Sequence, residues 1–130
     1  MVIVSLHVAT GAAGGAVVRS RPAAVALGFL LHLIGDLIPH HDIRSPRFEL
    51  WSGVTGVALL AATRGPFDPA TVGALAACSP DIEHVLRLPQ PGGRKLFPSH
   101  RVPGWHREGG IPAWLQLLTA GVLLGRLARR

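Results

Sequence analysis

The sequence predicts an all-α protein, an up-and-down bundle of about five helices embedded in a membrane. Its 130 residues contain several apolar runs separated by short segments rich in helix-capping residues and proline. No run alternates apolar and polar residues as a half-buried strand does. Only 15% of the residues are charged, against roughly 25% in an average soluble domain. The length fits a single domain, residues 1–130.

The first predicted helix covers residues 4–18. Gly11, Gly14 and Gly15 give it a face of small residues, which allows a second helix to approach closely. In water each of these glycines would weaken an isolated helix by about 1 kcal/mol. We therefore expect the first helix to pack tightly against a neighbour.

Each of the next helices has a recognisable start signal. Ser45 and Asp68 are each followed by a proline, the pattern of an N-cap and a first helical turn. Pro22 suits the first turn of the second helix, and Pro39 ends that helix because the residue before a proline avoids helical geometry. The predicted ranges are 22–38 for the second helix, 46 to about 63 for the third, 69 to about 78 for the fourth and 111 to about 125 for the last.

The apolar runs are marginal in length for membrane spans. They hold roughly 15 to 17 residues, whereas a bilayer core needs about 20. Thirteen Lys and Arg residues against seven Asp and Glu suit anionic partners such as lipid headgroups or phosphates. Few aromatic residues are present for stacking, which disfavours nucleic acid. The sequence predicts an integral, multi-pass protein of the cell membrane, with a soluble bundle as the alternative.

Residues 27–42 carry the main candidate site. His32 and Asp36 are four residues apart, so their side chains lie on the same face of a helix. His40 continues that row just past the helix end, and Asp42 follows it. Burying such groups without partners is costly, so this apolar segment predicts a metal site.

Helix alternation extends the candidate site to distant parts of the chain. It places the start of the first helix, the ends of the second and fourth helices and the polar segment 85–110 at one end of the bundle. All seven histidines fall at that end. The predicted metal ligands are His7, His32, Asp36, His40, Asp81, His84, His100 and His106. Mixed imidazole and carboxylate ligands suit zinc first, with manganese or iron as alternatives, and this many candidates allow one or two ions.

Three segments together resemble a known family. They are HLIGDLIPHH (32–41), SPDIEH (79–84) and SHRVPGWH (99–106). The combination is similar to the membrane-bound metal-dependent hydrolases, which are grouped with the zinc-dependent phospholipase C and single-strand nuclease superfamily. The resemblance implies a hydrolase whose metal ligands are His32, Asp36, Asp81, His84, His100 and His106, with His7 as a further candidate.

The predicted activity is hydrolysis of a phosphate ester, with phospholipid-like substrates favoured. A bound metal would lower the pKa of a water toward 7, and the hydroxide would attack phosphorus. A second metal or Arg101 would stabilise the developing charge. Asp42 or Glu83 would accept the proton, and the sequence does not choose between them.

A second hypothesis assigns the protein no catalytic role. In it, a metal or a network of His and Asp side chains only holds the membrane bundle together. A closed zinc site with four protein ligands would favour this alternative, whereas an open coordination position facing a groove would favour the enzyme.

Overall fold

The structure is a computed structural model that describes residues 3–85, 89, 91–105 and 107–129. Within these ranges the protein is all-helical, as the sequence predicts. The helices are α1 (Val4–Val18), α2 (Arg21–Leu37), α3 (Pro46–Arg64), α4 (Pro69–Cys78), α5 (Ile82–Val85), α6 (Pro98–Arg101) and α7 (Ala113–Ala128). A 3-10 turn, Ser79–Asp81, joins α4 to α5. The five long helices match the predicted ranges closely, and α5 and α6 are additional short helices.

Helix α1 lies at the centre of the bundle and packs against α2, α3, α4 and α7. Its residues are apolar or small on every face, which is typical of a helix buried all round. The core around it consists of Val4, Val8, Ala9, Ala12, Leu60, Ala70, Ala74, Ala120 and Leu124. Polar side chains on α1, including His7, are therefore held inside the protein.

The glycines of α1 allow the predicted close approach of a neighbouring helix. A Cβ atom at Gly11 would collide with the backbone carbonyl oxygen of Gly73 in α4, and one at Gly15 would collide with that of Pro69. Gly14 instead faces leucine side chains of α2. The small-residue face thus seats α4 directly on the backbone of α1.

Both predicted N-caps are confirmed. The Ser45 hydroxyl accepts a hydrogen bond from the backbone N–H of Phe48 at 3.4 Å. The Asp68 carboxylate accepts one from the N–H of Ala70 at 2.8 Å and also binds the guanidinium of Arg64 at 3.0 Å. These bonds satisfy amide groups that a helix leaves without an internal partner.

The polar segment after α5 is anchored along the end of α2. The backbone N–H of Ile111 donates to the carbonyl of Pro39 at 3.0 Å, and that of Gly109 donates to the carbonyl of His40 at 3.2 Å. The indole N–H of Trp105 donates to the carbonyl of Leu33 at 3.2 Å. These bonds hold α6 over α2, next to His32 and Asp36.

None of the described helices is long and apolar enough to span a membrane. Large apolar side chains are exposed on α2, α3 and α7, among them Leu30, Leu37, Trp51, Trp114 and Leu118.

Candidate metal centre

Side chains from five segments of the chain meet in one cluster, which we call the candidate centre. It consists of His7 of α1, His32 and Asp36 of α2, Asp81 of the 3-10 turn, His84 of α5 and His100 of α6. These residues form three overlapping groups, and within each group one possible ligand atom per residue lies within 4.8 Å of the others. The groups are His7, His32 and Asp81; His32, Asp36 and His100; and Asp81, His84 and His100.

Asp36 contacts three of the histidines. Its Oδ1 lies 3.4 Å from His7 Nε2, and its Oδ2 lies 3.1 Å from His32 Nε2 and 3.6 Å from His100 Nε2. Burial alone would raise the pKa of Asp36, but hydrogen bonds with His100, His32 and His7 outweigh it and hold the pKa well below its ordinary value. The fully buried carboxylate is therefore ionised.

The rings of His7 and His32 are stacked, with centroids 4.2 Å apart. His32 Nδ1 lies 2.8 Å from the carbonyl oxygen of Ala77. Because a carbonyl can only accept, Nδ1 carries a proton and Nε2 faces Asp36. Metal-binding histidines commonly donate their second ring N–H to a carbonyl in this way.

The pKa values of the two stacked histidines are shifted in opposite directions. Burial lowers the pKa of His7 to about 4, so its ring is neutral near pH 7, the form in which imidazole binds a metal. Burial also opposes charge on His32, but Asp36 and Asp81 outweigh it and raise the pKa of His32. The surroundings of the His32 ring therefore favour a positive charge there.

Asp81 is buried, and neither of its carboxylate oxygens has a hydrogen-bond partner among the described residues. His100 Nε2 lies 3.6 Å from Oδ1. Burial, reinforced by the charge of Asp36, raises the pKa of Asp81 to about 7. A buried carboxylate without donors is costly, and a cation bound between Asp81 and its histidine neighbours would remove that cost.

Glu83 orients His100. Glu83 Oε1 accepts a hydrogen bond from His100 Nδ1 at 2.5 Å, and Oε2 accepts one from the backbone N–H of Leu96 at 2.8 Å. Burial would raise the pKa of Glu83, but these bonds outweigh it and lower the pKa. With its Nδ1 bound to Glu83, His100 directs Nε2 toward Asp36 and Asp81. The sequence predicts Glu83 only as a possible proton acceptor. Its position in SPDIEH, between Asp81 and His84, is the one local signal that it also orients His100.

His84 lies at the exposed side of the candidate centre. Its ring centroid is 4.1 Å from that of His100, and its Nδ1 accepts a hydrogen bond from Lys95 Nζ at 2.7 Å. Burial, together with the nearby charges of His100 and Lys95, lowers the pKa of His84 to about 4. The centre therefore opens toward a surface that carries positive charge.

One predicted ligand among the described residues, His40, is not a member of the three groups. His40 follows Pro39, which ends α2, and its backbone pairs with the segment 107–111. Its Nε2 lies 3.3 Å from Oδ1 of Asp42. His106 lies outside the described residues.

Two cavities adjoin the exposed side of the centre. The first, about 590 Å³, is lined by Gly93, Arg94, Lys95, His100, Arg101, Val102 and Pro103, and we call it the cationic cavity. The second, about 840 Å³, lies between α3 and the segment from α4 to α5, and we call it the apolar groove. His100 lines the former, whereas Asp81 and His84 line the latter. Because these three residues form one of the groups, both spaces reach the same part of the centre.

Two further polar residues fix the start of α1 beside the centre. Gln116 of α7 is buried, and its amide donates to the carbonyl of His41 at 2.9 Å while its Oε1 accepts from the N–H of Ile3 at 3.4 Å. Glu49 of α3 accepts from the N–H of Val4 at 2.8 Å. A glutamine inside an apolar helix is a sequence signal for such a role, although it does not identify the partner.

Comparisons of the chain with protein-family models, with curated proteins and with solved structures find no match.

Proposed function

We propose that the protein is a metal-dependent hydrolase of phosphate esters that uses one or two zinc ions. The observation that carries the proposal is the buried carboxylate of Asp81, which has no hydrogen-bond donor among the described residues and lies beside imidazoles and the ionised Asp36. Imidazole nitrogens and carboxylate oxygens are zinc ligands. When bound, zinc would supply a coordinated water of lowered pKa and would polarise a phosphoryl oxygen.

The overlap of the three groups supports a centre with more than one ion. His32, Asp81 and His100 each belong to two groups. In catalytic sites with two metals, the two ions lie roughly 3.5 to 4 Å apart, so some ligands are close to both ions. Asp81 is the carboxylate that two of the groups share.

The cationic cavity supports an anionic substrate. Arg94, Lys95 and Arg101 line it together with His100, so a phosphate held there would lie beside the centre. Guanidinium groups bind phosphate oxygens in a bidentate manner. Arg101 is accordingly the residue that we assign to stabilise charge on the reacting phosphate.

Asp42 is a candidate for the proton acceptor because of its position. Asp42 lines the apolar groove together with Asp81 and His84, next to the exposed side of the centre.

A purely structural metal is the second candidate function. Its support is the complete burial of His32 and Asp36, since a closed, dry site needs no access for substrate. The opening of the Asp81, His84 and His100 group into two cavities favours the enzyme.

The test measures zinc content and hydrolysis of bis(p-nitrophenyl) phosphate in the same preparations. Loss of a residue that only supports a metal ligand lowers metal affinity or activity by roughly 10–100-fold. Because Asp36 is assigned as a ligand, we expect Asp36→Ala to lower zinc content and activity by more than this. Glu108→Ala, which removes an exposed carboxylate paired with Arg44, is the matched control and should change neither. Equal zinc content in wild type and Asp36→Ala would reject the ligand assignment. Zinc without hydrolysis would favour the structural role.

Membership of the membrane-bound metal-dependent hydrolases is part of the same proposal. Its support is that residues from all three motif segments, Asp36, Asp81 and His100 among them, meet at the candidate centre. The phospholipid-like substrate expected for such a protein is consistent with a cationic cavity and an apolar groove that meet there.

We also propose that the protein associates with a membrane through the end that carries the centre. Trp51 and Trp114 are 64% and 65% exposed and lie near the starts of α3 and α7, where tryptophan is suited to a lipid interface. We expect the protein to float with phosphatidylglycerol vesicles and the Trp51→Ala, Trp114→Ala double variant to float less. Failure of the wild type to float would reject this association.

A further inference from the structure

The apolar groove lies between helices and is lined by several of them. Its walls come from α3 on one side and from α4 and α5 on the other, with Val4 of α1 also contributing. The apolar lining consists of Val4, Leu50, Gly53, Val54, Val57, Ala58, Leu75, Cys78 and Ile82. Burial raises the pKa of the Cys78 thiol to about 11, so this wall is uncharged as well. At about 840 Å³, the groove lies within the range of small-molecule sites.

The groove has a polar end and an apolar end. Asp42, Arg44 and Glu49 precede or begin α3, while Asp81 and His84 follow α4, so the polar lining gathers beside the candidate centre. From Leu50 to Ala58 the lining along α3 contains no charged side chain. This part spans about 12 Å of helix.

We propose that the apolar groove binds one alkyl chain of an anionic ester, with the anionic group at the Asp81 and His84 end. This inference rests on the proposed function for the identity of the anionic group. The groove and its surroundings are complementary to such an amphiphile. A cation bound at Asp81 and His84, together with the cationic cavity beside His100, attracts the anion. The uncharged wall then accepts only an apolar tail. The substrate class is therefore an amphiphile with a phosphate head and a single chain in the groove.

The experiment measures binding of butyl, hexyl, octyl and decyl phosphonate by calorimetry, with protein loaded with zinc and again after chelation. Phosphonates retain the anionic head and the chain but cannot be hydrolysed. We expect the affinity of wild type to increase with chain length by up to about fourfold for each buried methylene. After a chelator has removed the zinc, phosphonates of every chain length should bind more weakly than they bind the zinc-loaded protein. The dependence of affinity on chain length should remain.

The matched variants are Val54→Trp and Val122→Trp. Val54 lines the groove and is 47% exposed, whereas Val122 on α7 is 46% exposed and does not line it. Val54→Trp should fill the groove and abolish the dependence on chain length, while Val122→Trp should retain it. Ala58→Phe is a second groove variant, used if Val54→Trp does not fold as judged by circular dichroism.

An affinity that does not change with chain length in wild type would overturn the inference, as would a dependence that survives in both groove variants. A dimer that dissociates in Val54→Trp, measured by light scattering, would also overturn it by assigning the groove to a second copy of the chain. Phosphate ester hydrolysis without a chain-length effect would reject the alkyl subsite alone. If the affinity depends on chain length but the protein neither binds zinc nor hydrolyses phosphate esters, the alkyl subsite is supported and the proposed function is rejected.

Discussion

At the scale of single residues, the candidate centre depends on groups that fix the protonation of its histidines. The carbonyl of Ala77 accepts a hydrogen bond from Nδ1 of His32, and Glu83 accepts one from Nδ1 of His100. In both cases Nε2 is left facing Asp36. Such partners orient metal ligands and raise their basicity.

Glu83 provides a direct test of this orientation. Glu83→Leu removes the acceptor for His100 Nδ1, so we expect zinc affinity to fall by roughly 10–100-fold, measured by competition with a chromophoric chelator. Glu83→Gln should recover part of the affinity because its single amide oxygen can still accept a hydrogen bond from His100 Nδ1.

The control for Glu83 is Glu108→Gln, which neutralises an exposed carboxylate distant from the three groups. Unchanged zinc affinity in Glu83→Leu would contradict the positioning role. A uniform loss of folding in both Glu83 variants would indicate that the residue acts only on stability.

At the scale of secondary structure, the contact between α1 and α4 determines how the centre is assembled. His7 belongs to α1, whereas Asp81 follows α4 through the 3-10 turn. The glycine faces of the two helices bring their backbones into contact, which places these residues in one group. A larger side chain at this contact would separate the two helices.

The glycines give opposite predictions at two positions. Gly15→Ala would place a Cβ atom against the carbonyl of Pro69, and we expect a loss of about 1–3 kcal/mol in the free energy of unfolding. A Cβ atom added at Gly121 of α7 would meet no neighbouring atom of the described residues within 4 Å, so Gly121→Ala should increase that free energy by about 0.5–1 kcal/mol. Urea unfolding measures both, and equal effects of the two substitutions would contradict this account of the contact.

At the scale of the whole molecule, a cation at the centre would join parts of the chain that are far apart in sequence. The three groups connect α1 and α2 to the segments that contain Asp81, His84 and His100. A ligand that binds only the folded protein stabilises it, by about 2.7 kcal/mol at a hundredfold excess over its dissociation constant. If the proposed function is correct, a bound metal contributes to stability as well as to chemistry.

Removal of the metal tests this contribution. We expect a strong chelator to lower the Tm of the wild type by roughly 10 °C, measured by calorimetry. Asp36→Ala should already have a lower Tm and should not respond to the chelator. An identical response of the two proteins would show that the stabilising ion binds elsewhere.

Local sequence determined the helices, the caps at Ser45 and Asp68 and the shared face of His32 and Asp36, because these features depend on residues a few positions apart. Alternation of the helices also predicted that His7, His84 and His100 lie at one end of the bundle. The tertiary structure decided which of these groups come within ligand distance, that His40 is not a member of the three groups, and that Glu83 orients His100. It also decided where the two cavities lie. These outcomes depend on how closely α4 packs on α1 and on the path of the segment after α5, which are set by contacts between residues far apart in the chain.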